Sequence, residues 1–283
     1  MSHKDEIENI TYAKQGQKAL FNVSAQVCKV YECEKPLHFL PYKTYNCTLA
    51  EMYLKYCVTI RNAVKNLKKR DLDPLIRANY RIEEISNFLV IVAKNCNLGD
   101  YIDIGCGDGY ITENIGKYCG FNMNSRKIYG VDIFPIANKN IVGIVAKGTD
   151  YYGDFSDGQF CLITLFVSLH HIAKDELGEN IRQIKRILCV GGYLILREHD
   201  FEGNNKNPTA QFLNVIHIIN LLDDLGDDDL VKYVLNINYK KETYWDGLLA
   251  PELMPIKKMS YSHNNVQHLY YKMYKKIGTG DLP

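Results

Sequence analysis

YIDIGCGDGYITENIG, residues 101–116, sets three glycines at alternate positions directly after a short apolar run. Gly105, Gly107 and Gly109 permit a tight turn with positive φ and let backbone N–H groups face a ligand. Their spacing is G-x-G-x-G, not the G-x-G-x-x-G that suits a dinucleotide pyrophosphate. One acid, Asp103, stands two residues before the first glycine. A second, Asp132, ends the next apolar run, where a carboxylate can accept hydrogen bonds from both hydroxyls of a ribose.

The rhythm around this loop is strand alternating with helix. YIDI (101–104) precedes a helix near Tyr110 to Tyr118, KIYGVDI (127–133) is a second strand, and IVGIVA (141–146) a weaker third. FCLITLF (160–166), a helix across Lys174 to Leu188, and GGYLILRE (191–198) follow. Such alternation predicts an α/β fold, a doubly wound, mostly parallel sheet with helices on both faces. A helix over Pro208 to Leu222 and a last strand over His268 to Tyr274 complete it. Ligands of such sheets bind beyond the carboxyl ends of the strands at the topological switch point, where the glycine loop falls.

Residues 1–97 read as an N-terminal mixed and helical extension, and 98–283 as the sheet domain. Within the extension a helix is expected near Thr48 to Lys69 and another from Arg77 to Lys94. In the second, Ile82, Ile85, Leu89 and Val92 recur at helical spacing, so one face is expected to be buried.

Composition is that of an ordinary globular chain, 46% hydrophobic and 24% charged over 283 residues. No apolar run approaches the roughly 20 residues of a membrane span, and the polar opening MSHKDEIEN lacks a signal-peptide core. The nine cysteines form no disulfide framework, which points to a reducing, cytoplasmic setting. Cys28, Cys33, His38 and Cys47 offer zinc-ligand types but no C-x-x-C knuckle, and buried free cysteines are the simpler reading. The net charge of +1 neither demands nor excludes a polyanion. Basic stretches at Arg61 to Arg70 and in the C-terminal YSHNNVQHLYYKMYKK could follow one, with tyrosines to stack on bases.

Strand, Asp-x-Gly-x-Gly-x-Gly, helix, strand and terminal Asp, in that order, resemble the class I S-adenosylmethionine-dependent methyltransferases. DIGCGDG resembles the first motif of that family, GVDI the second, LFVSLHHI (165–172) the fourth and ILCVGGYLIL (187–196) the fifth. The resemblance covers residues 100 to about 200 and implies S-adenosylmethionine as cofactor. It implies cofactor binding by Asp103, Gly105, Cys106, Gly107, Asp132, Ile133, Asp150 and Phe166. The G-T-D at 148–150 resembles the segment whose acid meets the adenine amino group.

Two polar stretches fall at strand ends on the side where an acceptor would sit. Ser168-Leu169-His170-His171 offers imidazoles that can take a proton near neutral pH. Arg197-Glu198-His199-Asp200 follows a buried strand, an unusual place for four titratable groups. Glu198, His199 or His170 could act as base, and Arg197 could clamp a carboxylate or phosphate. Alternation would send Arg197 and His199 one way and Glu198 and Asp200 the other. The Lys-Asp-Lys-Glu set of sugar 2′-O-methyltransferases is missing, as is the Asn/Asp-Pro-Pro-Tyr/Phe motif of amino-directed DNA methyltransferases. The REHD stretch loosely resembles methyltransferase-like proteins of large DNA viruses. The expected acceptor is RNA, with a small molecule as runner-up, a non-catalytic scaffold as a third reading, and a protein partner reached through the N-terminal region.

Overall fold

A computed structural model describes residues 24–25, 27–31, 48–69, 73–121, 126–202, 208–260 and 268–278. In chain order its elements are α1 (Leu49–Val64), α2 (Pro74–Asn95), β1 (Asp100–Ile104), α3 (Tyr110–Tyr118), β2 (Ile128–Asp132) and β3 (Val142–Val145). Then come β4 (Phe160–Phe166), α4 (Lys174–Ile187), β5 (Leu188–His199), α5 (Pro208–Leu221), α6 (Asp227–Leu235), α7 (Glu242–Leu249), β6 (Leu253–Ser260) and β7 (Leu269–Lys276). By internal contacts the chain forms two units, Met1–Asp71 with Glu202–Ile237, and Leu72–Phe201 with Asn238–Pro283.

Among its described residues the first unit is helical, with α1 packed on α5 and α6. Thr48 starts α1 through a capping box: its hydroxyl accepts from the Glu51 N–H at 3.2 Å, and Glu51 accepts from the Thr48 N–H at 2.6 Å. Such a cap stabilises a helix by about 1 kcal/mol. Arg61 ties α1 to α6, bonding Asp227 at 2.8 Å and the carbonyls of Leu222 and Leu225 at 2.8 and 3.0 Å. The acidic run at 227–229 fills the first turn of α6, where the helix dipole favours negative charge.

The second unit is a seven-stranded sheet in the order β3-β2-β1-β4-β5-β7-β6. Strands β1 to β5 pair in parallel, and β7 runs antiparallel to both of its neighbours. The order therefore reverses between β1 and β4, directly above the glycine loop. One face packs Ile102, Ile163, Leu165, Leu194 and Leu196 against Leu177, Ile181 and Ile184 of α4. The other packs Tyr101, Leu162, Ile195 and Met273 against Ile85, Phe88, Leu89 and Val92 of α2. Each such side chain contributes about 1.5–3 kcal/mol when fully buried. The predicted face of α2 is thus buried, and Asp73 and Pro74 set its start, Asp73 accepting from the Leu75 N–H at 2.9 Å.

Three elements were not expected from the sequence: α6, α7 and β6. The last carries Pro255, which argues against a strand. It is tolerated because β6 is an edge strand whose register shifts between Pro255 and Lys257.

Candidate active site

The glycine loop turns as its sequence requires. Gly105, Gly107 and Gly109 have φ of 82°, 58° and 84°. The Gly105 and Cys106 N–H groups donate to the Val131 carbonyl at 2.7 and 3.0 Å, stitching the loop to β2. A Cβ on Gly105 would lie 2.6 Å from that of Ser168, whose hydroxyl bonds the Ile104 carbonyl at 3.0 Å. A Cβ on Gly107 would meet nothing within 4 Å, so open space lies in front of the middle of the loop.

Asp132 faces this loop. Its carboxylate accepts from the Gly107 N–H at 2.7 Å and from the Phe134 N–H at 3.1 Å. Ile133, next along, is 60% exposed, a large apolar surface left bare beside an acid. Open backbone, a forward carboxylate and an exposed apolar side chain thus meet at the end of β1 and β2.

Four other candidates stand differently. Cys106 is buried, and its sulfur would lie 2.8 Å from a Cβ on Gly130, so it packs toward β2 behind the loop. Asp103 is buried beneath the loop, where the hydroxyls of Thr112 and Thr164 donate to it at 2.5 and 2.6 Å. Burial raises its carboxyl to about 6, against those two hydrogen bonds. It supports the loop from behind. Asp150 is exposed on a single 3₁₀ turn, Asp150–Asp154. Phe166, half-buried at the end of β4, meets Tyr271 edge-on at 6.1 Å, with the Arg81 guanidinium 5.7 Å from its ring centre.

Sequence reading missed the residues that hold the loop from outside. Arg77 of α2 pairs with Asp108 inside the loop. Asn138 donates its backbone N–H to the Asp108 carbonyl at 3.0 Å and its amide to the Gly109 carbonyl at 3.2 Å. The only signal was that Asn138 sits in PIANKN (135–140), a turn-forming stretch shortly after Asp132.

The acceptor-side candidates meet where β4 and β5 end. Val167 leaves β4 at φ 57°, a strained conformation for a β-branched residue. Its N–H bonds the Arg197 carbonyl at 2.7 Å, which turns the chain so that the Leu169–His171 turn faces β5. There Glu198 accepts from the Leu169 N–H at 2.8 Å and from His170 Nδ1 at 2.6 Å, both side chains being buried. Burial raises the Glu198 carboxyl, but the His170 imidazole, then His199 and the Leu169 N–H, outweigh it and hold it below the usual carboxylate range. His170 also stacks on Tyr239, with ring centres 5.4 Å apart.

The expected alternation holds for Arg197 and Glu198 and stops there. The Arg197 guanidinium lies 5.6 Å from the Tyr271 ring centre, on the α2 face. The His199 ring lies 5.0 Å from His170 and so joins Glu198, because the strand ends at this residue. Both Glu198 oxygens are thus engaged within the protein. Of the four residues considered for zinc, Cys33, His38 and Cys47 lie outside the described residues; Cys28, which is described, is half-buried.

No curated protein matches the chain in sequence. Among solved structures, a protein from Pyrococcus horikoshii OT3 is similar at 18% identity, over 70% of this chain and 90% of that one, with a TM-score of 0.47. The 1,6-didemethyltoxoflavin-N1-methyltransferase of Burkholderia thailandensis is similar at 11% identity, over 85% and 99%, with 0.47. The N-methyltransferase NodS of Bradyrhizobium japonicum WM9 is similar at 14%, over 69% and 86%, with 0.45. The family model described as "Methyltransferase domain" matches residues 76–268, which span α2, the glycine loop, Asp132 and the Glu198–His170 pair. On that match, the chain belongs to the methyltransferase domain family.

Proposed function

We propose that this methyltransferase moves the methyl group of S-adenosylmethionine to a nitrogen or oxygen of a small molecule, with His170 receiving the proton the acceptor loses. The buried Glu198–His170 pair at the ends of β4 and β5 carries this reading. S-adenosylmethionine supplies a methyl group already activated by its sulfonium, so the protein's task is alignment, exclusion of water and removal of a proton. Gly105, Gly107, Asp132 and Ile133 hold the adenosyl part. Asp103 keeps the loop in shape, and Asp150 completes the adenine end. Glu198 accepts from Nδ1 of His170, which fixes the ring's orientation and directs Nε2 to proton exchange. In these roles His170 is the catalytic base and Glu198 the positioning residue, with His199 and Tyr239 packing the ring.

A small acceptor is favoured over RNA because the described part of the tyrosine-rich C-terminal stretch is largely spent inside the protein. Among the described residues of YSHNNVQHLYYKMYKK, Tyr270, Tyr271, Met273 and Tyr274 are buried in β7. Lys272 bonds Glu242 and Asp246 at 2.6 and 2.8 Å, and Lys276 bonds the carbonyls of Lys185 and Leu188, each at 2.6 Å. Arg61 is committed to α6 as described above. Within the extension read over residues 1–97, α2 lends Arg77 to the glycine loop, which supports a role for that helix beside the crevice.

The test is transfer of label from tritiated S-adenosylmethionine to a small-metabolite extract, total RNA and total protein in parallel. Label in the small-molecule fraction supports the proposal. Label in RNA alone overturns the acceptor class. Cofactor binding without any label favours the scaffold reading.

A further inference from the structure

The adenosyl-binding pieces come from two separate segments, the glycine loop and the turn after β2, and something must register one against the other. Glu113 of α3 is buried, yet both of its oxygens are claimed by that turn: Asn138 Nδ2 donates at 2.7 Å and Asn140 Nδ2 at 2.8 Å. Lys117 pairs with the same carboxylate at 2.5 Å. Burial raises the Glu113 carboxyl, but Lys117 and the two asparagines outweigh it and hold it below the usual range.

Asn138 is itself buried and makes four kinds of contact. It bonds the Asp108 and Gly109 carbonyls of the loop and Glu113 of the helix behind it, and its Oδ1 accepts from the Asn140 N–H at 2.8 Å. Ile136 and Ile141, on either side of it, lie 3.0 and 2.7 Å from where a Gly109 Cβ would stand. Only a glycine lets the two segments close to this distance. A buried carboxylate with both oxygens matched to two side-chain amides is costly to assemble and fixes one arrangement of the backbone it joins. Here it holds the loop carbonyls backward, which leaves the Gly107 N–H forward against Asp132.

We propose that the Glu113–Asn138–Asn140 staple is a positioning device for the cofactor: it sets the gap between the glycine loop and the Asp132–Ile133 segment without touching the ligand. This inference rests on the cofactor reading above. It assigns cofactor affinity to three residues that the binding contacts alone would not single out.

The experiment is calorimetric titration of S-adenosylhomocysteine into the full chain and three variants, alongside their melting temperatures. Asn138→Asp sets two carboxylates face to face and weakens binding at least about 10-fold. Adding Glu113→Gln in the same chain restores a donor across the pair but not the bond to the Gly109 carbonyl, so affinity recovers in part, by about 3-fold over Asn138→Asp. Asn140→Ala, the least buried change, weakens binding about 3–10-fold while the fold persists.

Affinity unchanged in Asn140→Ala, or melting temperature restored by the double exchange with no recovery of affinity, overturns the staple. If the wild-type chain itself fails to bind S-adenosylhomocysteine, the cofactor reading falls first.

Discussion

The Gly107 N–H donates to the Asp132 carboxylate at 2.7 Å, joining the tip of the glycine loop to the acid that ends β2. The two residues stand 25 positions apart, and their contact exists only because β1 and β2 pair in parallel with their ends level. The loop thus fixes the direction of the Asp132 carboxylate.

Asp132→Ala removes that aim together with the acceptor for ribose hydroxyls. It should weaken S-adenosylhomocysteine binding by about 10- to 100-fold, the loss of one or two charge-assisted hydrogen bonds. Melting temperature should change little, since the side chain lies at the open end of the sheet. Equilibrium titration checks the affinity and a thermal melt checks the fold.

Two glycines of the loop separate steric cost from ligand cost. Gly105→Ala drives a Cβ to 2.6 Å from Ser168 at positive φ, so loss of folded protein is expected. Gly107→Ala meets nothing within 4 Å and pays only the backbone penalty of about 1 kcal/mol. The new methyl enters the open space before the loop, so the protein should fold and lose cofactor affinity. Solubility and titration of the two variants distinguish these outcomes.

Glu198→Gln tests the proton route. It keeps the size of the side chain but no longer holds the His170 proton on Nδ1 as a carboxylate does. Turnover should fall by about 100-fold or more with cofactor affinity within about 2-fold. Because the Glu198 carboxyl is held below its ordinary range, its contribution to stability is present above the unfolded carboxylate pKa and lost as pH falls through the lower folded value. Wild type should therefore lose more stability in acid than Glu198→Gln does, as pH-dependent melts would report.

Asp103 has the opposite sign. Burial raises its carboxyl to about 6, so the folded state binds that proton more tightly than the unfolded chain. Its favourable contribution is complete below the unfolded value near 4 and lost as pH rises through about 6. Asp103→Asn, in which the threonine hydroxyls can rotate to suit an amide, should melt higher relative to wild type at pH 8 than at pH 5. Between these two pH values the difference should be on the order of 1.5 kcal/mol, one pH unit of tighter proton binding at pH 5.

What the sequence made legible was the frame. The alternating apolar runs announced β1, β2, β4 and β5, and the glycine spacing placed the crevice at the end of β1. The place of Asp132 at the end of β2 could be read because an acid closes that apolar run. Contacts distant in sequence stayed hidden: Arg77 with Asp108, Thr164 with Asp103, and Asn138 with Glu113. A helix acid such as Glu113 looks like a solvated surface group until the turn that covers it is in place. The basic C-terminal stretch misled for a related reason. Lys272 reads as exposed charge, but β7 is an inner strand, and the lysine meets Glu242 and Asp246 of α7, a helix the sequence did not signal.

The most direct measurement is titration of S-adenosylhomocysteine and, separately, NAD into wild type and Asp132→Ala. The account predicts roughly micromolar binding of S-adenosylhomocysteine, its weakening in Asp132→Ala, and no comparable binding of NAD. Preferential binding of NAD, or equal affinity for S-adenosylhomocysteine in the two chains, would contradict the placement of the cofactor on which the rest depends.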